Sequence, residues 1–176
     1  MRGSKFYILI LILLSISCKN LSEKAAPVAL EVNANNNITE SDIEKLDYVE
    51  YNLSSDARNV LQDWQKYNEL QGYVSFLKTL DFSFFNEEKT ILKTFLNDFN
   101  TEMPQSIKTA PILSRAKVLE TKLLKLNSVM RLDNMDKATQ LEAIQEFLTA
   151  LSNFNLQVNK KFELEANLVD KEVIEQ

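Results

Sequence analysis

The sequence predicts an all-α protein, an antiparallel bundle of about four helices that follows a flexible N-terminal tether. Three observations point there. Apolar residues recur at alternating steps of three and four through several long stretches, which is the period of one helix face. Ser, Thr and Asp stand just ahead of those stretches, where their side chains cap orphan backbone N–H groups. Short polar connectors join the stretches, and short connectors make neighbouring helices antiparallel. The 176 residues, less a short leader, suffice for one core.

Taken in order, residues 1–17 read as an export leader. Arg2 and Lys5 form a basic start, Phe6 to Leu14 is an unbroken apolar run, and Ser15-Ile16-Ser17 supplies small residues before Cys18. The run is about half of the roughly 20 apolar residues that a membrane span needs. Leu14-Ser15-Ile16-Ser17-Cys18 resembles the lipobox of bacterial lipoproteins, in the looser form of Bacteroidetes-type bacteria, with Ser15 where the family usually has an apolar residue. That resemblance implies cleavage before Cys18, a diacylglycerol on its thiol and acylation, typically by palmitate, of the new amino terminus. It also implies a place in the bacterial cell envelope. Lys19 after the cysteine is similar to the outer-membrane sorting pattern of enteric bacteria, so an anchor in the outer membrane facing the periplasm is expected. Residues 18–38 are polar and Asn-rich and read as a lipidated tether, on the order of 25 Å long as a flexible coil.

The helical domain is expected over 39–169. Thr39 and Asp42 have capping-box spacing, with Ile43, Leu46 and Val49 behind them. Ser54-Ser55-Asp56 should start one long helix whose stripe runs through Ala57, Val60, Trp64, Tyr67, Val74 and Leu77. Gly72 inside it costs about 1 kcal/mol relative to Ala, which suggests a close crossing by another helix in preference to a kink. Ser83, Glu87 and Glu88 mark the next start, and Ile91, Leu92, Phe95, Leu96 and Phe99 repeat helically until Met103-Pro104. Pro111 or Ser114 opens a helix with Ile112, Ala116, Leu119, Leu123, Leu126 and Met130 at a clean 4-3-4-3-4 spacing, widened by Val118, Leu124 and Val129. Asp133-Asn134-Met135-Asp136 lacks the turn glycine of a calcium loop and reads as a cap. From Lys137 the last stripe is Leu141, Ile144, Leu148, Leu151, Val158 and Phe162, weakened by Asn153, Asn155 and Asn159, as one helix or two. Residues 170–176 should fray.

Composition narrows function. Histidine is absent, which removes the commonest general base and zinc ligand. Cys18 is the only cysteine, so no intramolecular disulfide forms. With two glycines, there is no Gly-rich loop to cradle a phosphate. The net charge of −5 argues against nucleic acid and against attraction to anionic headgroups, so membrane contact is expected through lipid on Cys18 alone.

Little catalytic equipment remains. Glu142/Glu146 and Glu163/Glu165 are acid pairs of the kind a glycosidase uses, but they read as solvated helix faces. Arg115 lies in the first turn of a helix, where a cation opposes the dipole, and a partner such as Glu120 is expected. Tyr48, Tyr51, Phe82, Phe84, Phe85 and Arg115 form the candidate partner surface, with Trp64, Tyr67 and Tyr73 as further aromatics. No enzyme, cofactor or metal is expected. The leading expectation is a lipid-anchored envelope protein that acts by binding, as an accessory, adaptor or inhibitor subunit for an envelope protein. The alternative is a binder of a small apolar or lipidic ligand in a cavity between Phe-rich helices.

Overall fold

A computed structural model describes residues 37–174, with side chains through residue 168. The leader, Cys18 and the tether up to residue 36 lie outside the described residues. Six α-helices and two 3-10 turns occur among the described residues, and the all-α bundle is the observed architecture. No described helix is long and apolar enough to cross a membrane.

The chain enters through α1 (Glu40–Glu44), opened by a complete capping box. The Asp42 N–H donates to Thr39 Oγ1 at 3.3 Å and the Thr39 N–H donates to Asp42 Oδ2 at 2.8 Å. Lys137 reaches the same carboxylate at 2.7 Å. Those bonds, Lys137 first and Thr39 next, hold the Asp42 carboxyl down to about 2. α1 is shorter than the stripe Ile43, Leu46 and Val49 suggests: it stops at Glu44, and Val49 is exposed.

The reason lies in the last helix, α6 (Lys137–Ile174), which is one continuous element of 38 residues. Residues 46–54 run extended along it, without a sheet partner for their backbone. Side chains of α6 stand in for one. Gln145 Nε2 donates to the Asp47 carbonyl at 2.9 Å, and Ser152 Oγ accepts from the Tyr51 N–H at 2.8 Å while donating to the Val49 carbonyl. Asn155 Nδ2 donates to the Tyr51 carbonyl at 3.0 Å. Asn159 accepts from the Ser54 N–H and donates to the Asn52 carbonyl, both at 2.8 Å. Residues three, four and seven apart share one helix face, so these polar groups form a strip. Two of the three asparagines expected to weaken the helix, Asn155 and Asn159, are part of its docking surface.

Ser54 caps α2 (Ser55–Leu61), accepting from the Ala57 N–H at 3.2 Å. The single long helix expected from Ser54 to Leu77 is in fact two: α2 ends at Leu61, and α3 runs Gln65–Lys78. Trp64 makes the break. Its backbone is extended at φ −83° and ψ 93°, its N–H donates to the Leu61 carbonyl at 3.0 Å, and Asn68 Nδ2 satisfies the Gln62 carbonyl at 2.8 Å. The turn drops the indole into the core, with ring centroids 4.4 Å from Phe99, 5.5 Å from Tyr67 and 6.1 Å from Phe154. The helix period is broken so that one large ring can be buried.

α4 (Lys89–Glu102) buries Leu92, Phe95, Leu96 and Phe99 and stops before Pro104, as expected. The connector behind it holds a 3-10 turn, Gln105–Ile107, whose Ile107 is fully buried. α5 (Ala110–Met130) carries Pro111 in its first turn. It buries Ile112, Ala116, Leu119, Leu123 and Leu126, whereas Val118 is exposed. Asp136 caps the start of α6, accepting from the Thr139 N–H at 2.9 Å. Glu146 on α6 takes both Lys122 and Lys125 of α5, at 3.0 and 2.6 Å, in the register of an antiparallel pair joined by a short turn. α6 continues helically past 169 to Ile174, through most of the tail expected to fray.

Gly72 is not at a helix crossing. A methyl added to it would meet nothing within 4 Å. Gly72→Ala is therefore expected to stabilise the protein by about 0.5–1 kcal/mol, read as a higher urea midpoint at unchanged slope. Asn155→Ala should destabilise it by about 1–3 kcal/mol in the same measurement, because the Tyr51 carbonyl and the buried Tyr67 hydroxyl, 2.9 Å from Asn155 Oδ1, both lose a partner.

Candidate functional site

The end of α3 sets up the site. Leu80 adopts φ 67°, a conformation unfavourable for a branched side chain. Its N–H donates to the Leu77 carbonyl at 3.0 Å and the Asp81 N–H donates to the Phe76 carbonyl at 2.9 Å. This is a Schellman closure with Leu where glycine is usual. Leu80 packs partly against the core, which accounts for a side chain at that position. Asp81 then accepts from the N–H and hydroxyl of Ser83, which together lower its carboxyl pKa. The chain turns through the 3-10 segment Phe84–Asn86. Asn127 of α5, itself buried, pins that turn by donating to the Phe85 carbonyl at 2.9 Å and the Glu87 carbonyl at 2.8 Å.

Between this turn, α3 and α4 lies an open groove of about 570 Å³. Its floor is aromatic. The rings of Tyr73 and Phe84 stack in parallel, centroids 3.7 Å apart, and Phe95 meets both edge-on at 5.8 and 5.1 Å. Phe76 and Ile91 also line it and remain 55% and 48% exposed. The polar lining is mainly acidic: Glu69, Asp81, Glu87 and Asp98 against Lys66. Lys66 pairs with Glu69 at 2.8 Å, and that bond raises the lysine pKa and lowers the carboxyl pKa. The ammonium also stands 5.7 Å from the centre of the Phe95 ring. This arrangement can hold an apolar body and attract positive charge.

The candidate surface residues are divided by the fold. Phe84 lies in the groove, and Phe82 packs partly buried beside the core. Phe85 is fully buried, with its ring centroid 5.4 Å from that of Phe147, and so is removed from any partner surface. Neighbouring positions in a tight turn cannot all point the same way. Tyr48 lines a second, smaller pocket of about 420 Å³ with Ile43, Leu46, Glu50 and Lys78. There its hydroxyl donates to Glu50 at 3.3 Å, Lys78 pairs with Glu50 at 2.8 Å, and burial raises the Tyr48 pKa. Tyr51 is held by its backbone to α6. Arg115 is exposed and has no hydrogen bond or ion pair among the described residues; Glu120 pairs with Lys117 at 2.8 Å instead. Trp64 and Tyr67 are core, and the Trp64 indole N–H is buried without a partner among the described residues.

Of the acid pairs, Glu146 joins α5 to α6 through Lys125 and Lys122, whose bonds lower its pKa, while Glu142 is exposed. Glu165 pairs with Lys161 at 2.7 Å, and Glu163 is exposed. Of the groove residues, the sequence points to Phe84 and Tyr73 as site candidates; Lys66, Glu69, Phe76, Asp81, Glu87, Ile91, Phe95 and Asp98 are missed as such. Phe76 carried a signal, being a large apolar residue beside the Val74–Leu77 stripe rather than on it.

Exposed residues that fill no gap are near-neutral to stability. Phe76→Ser and Ile91→Ser are each expected to shift unfolding free energy by no more than about 0.5–1 kcal/mol, as read by urea denaturation, which leaves folded proteins with an altered groove. No family model, curated protein or solved structure matches the chain significantly, and the site is therefore read from its own geometry.

Proposed function

We propose that the chain is a lipid-anchored protein of the bacterial cell envelope that acts by binding, as an accessory, adaptor or inhibitor subunit, and that the groove between α3 and α4 is its docking face. The anchor rests on the lipobox-like Leu14 to Cys18 and the expected outer-membrane, periplasm-facing position on Lys19. The observation that carries the docking face is the pairing of an aromatic floor, Tyr73, Phe84 and Phe95, with the half-exposed Phe76 and Ile91 above it. Large apolar side chains left in water beside a concavity mark interaction sites, and aromatic anchors supply most of the energy at such sites. A second reading is favoured by size: about 570 Å³ also suits one small apolar or lipidic ligand.

Both parts are open to direct measurement. Labelled palmitate should enter the wild-type chain and not Cys18→Ala, and the variant should leave the membrane fraction; equal labelling of the two removes the anchor. Site-specific photocrosslinkers at Phe76 and Ile91 should give one discrete protein adduct in intact envelopes, lost on Phe84→Ser. A retained lipid in native mass spectra, with no protein adduct, would establish the second reading instead.

A further inference from the structure

The groove is graded along its length, and the choice of its occupant rests on reading it as the docking face. Lys66, at the start of α3, lies over Phe95 and is influenced by Asp98 and Glu102, late in α4. Phe76, near the end of α3, shares the lining with Ile91, early in α4, and with Asp81. The two helices therefore run in opposite directions beneath the groove. Carboxylates stand at both ends: Glu69 and Asp98 at one, Asp81 and Glu87 at the other, with the rings between them. Lys66 is the only basic residue in that lining among the described residues; it is paired with Glu69 and also faces Asp98, which leaves Asp81 and Glu87 at the other end without an ion pair among the described residues. From Lys66 to Phe76 the helical rise spans about 15 Å, a distance covered by about four or five residues of extended chain.

We infer that the groove takes a short protein segment with a cationic-apolar-cationic pattern. One or two aromatic or branched aliphatic side chains occupy the ring floor, and Lys or Arg on either side meet the end carboxylates. An acidic segment is repelled at both ends, and a neutral apolar ligand leaves the carboxylates as they are. A small cationic amphiphile matches the charge, but one that fits within the groove leaves the outward parts of Phe76 and Ile91 in water, whereas a chain running through covers both. Ion pairs of this kind chiefly raise association rate and selectivity and weaken with salt, while the apolar centre supplies residence time.

The test uses the full chain in phosphatidylcholine nanodiscs and fluorescence anisotropy with three labelled six-residue peptides. One has a Leu-Phe centre and two lysines at each end, one has the same centre with glutamate ends, and one has lysine ends with a Ser-Gly centre. The first should bind at least tenfold more tightly than either of the others, and its affinity should fall at least fivefold between 50 and 300 mM salt, as charge screening requires. The paired neutralisation Glu87→Gln with Asp98→Asn should weaken it about tenfold and flatten the salt dependence; Phe76→Ser with Ile91→Ser should weaken it as much and leave the salt dependence steep. Loss only in the apolar variant overturns the charge pattern and keeps the docking face. Equal binding by wild type and both variants overturns the docking face itself. Failure of the first peptide to bind, or equal or tighter binding by dodecyltrimethylammonium, overturns the assignment of a protein segment.

Discussion

An extended backbone with no neighbouring strand must find partners for its N–H and C=O groups, and in this protein one helix face provides them. Ser152, Asn155 and Asn159 of α6, with Gln145 earlier on the same helix, hold residues 47–54 by side-chain bonds. The bonds to Ser152 and Asn155 are partly buried, where an unpaired backbone group is costly, so removing this strip would leave the segment held only by Leu46, Tyr48 and Leu53 against the core. Much of the topology hangs on it. It ends α1 early, carries the chain along α6 in the parallel direction, and delivers Ser54 to the place where α2 begins. Tyr67 extends the network inward, donating to Asn155 and accepting from Gln71, with burial raising its pKa. The polar strip and the aromatic core therefore meet at one residue.

The groove owes its shape to the break at Trp64. Because that residue interrupts the helix, α3 starts afresh and turns Tyr67 inward toward Trp64 and Phe154, while Tyr73 meets Phe84 and Phe95 at the groove floor. An indole N–H with no partner among the described residues and a left-handed Leu80 flank α3 at its start and end. Each costs on the order of 1–3 kcal/mol, and each is held in place by packing: the indole by three rings, Leu80 by the core beneath it. Asn127 completes the construction by fixing the turn that presents Phe84.

Much of the architecture is legible in the sequence because it depends on local signals. The steps of three and four in Ile112 to Leu126, the stop at Pro104 and the caps at Thr39 and Ser54 each act within a few residues. The α2–α3 break is not legible, since Trp64 fits the helical stripe and only its distant neighbours Phe99 and Phe154 reward leaving it. Asn155 and Asn159 mislead for the same reason: their partners lie about a hundred residues upstream. Phe84 and Phe85 look alike in sequence, and only the tight turn separates one into the groove and the other into the core. Gly72 suggests a helix crossing, but the empty space beside it means that its small size carries no packing message.

The parallel course of the extended segment sets how load enters the protein. From residue 37 onward, a pull arriving through the upstream chain meets Ile38, packed partly against the core, then the Asp42–Lys137 pair and the buried Ile43, and after them the Asp47, Tyr51 and Ser54 attachments in sequence. Bonds met one after another peel at low force, where bonds sheared together resist as a group. Lifted from that end, the lead of chain leaves α6 one attachment at a time, and none of those attachments is made by a residue that lines the ring-floored cleft.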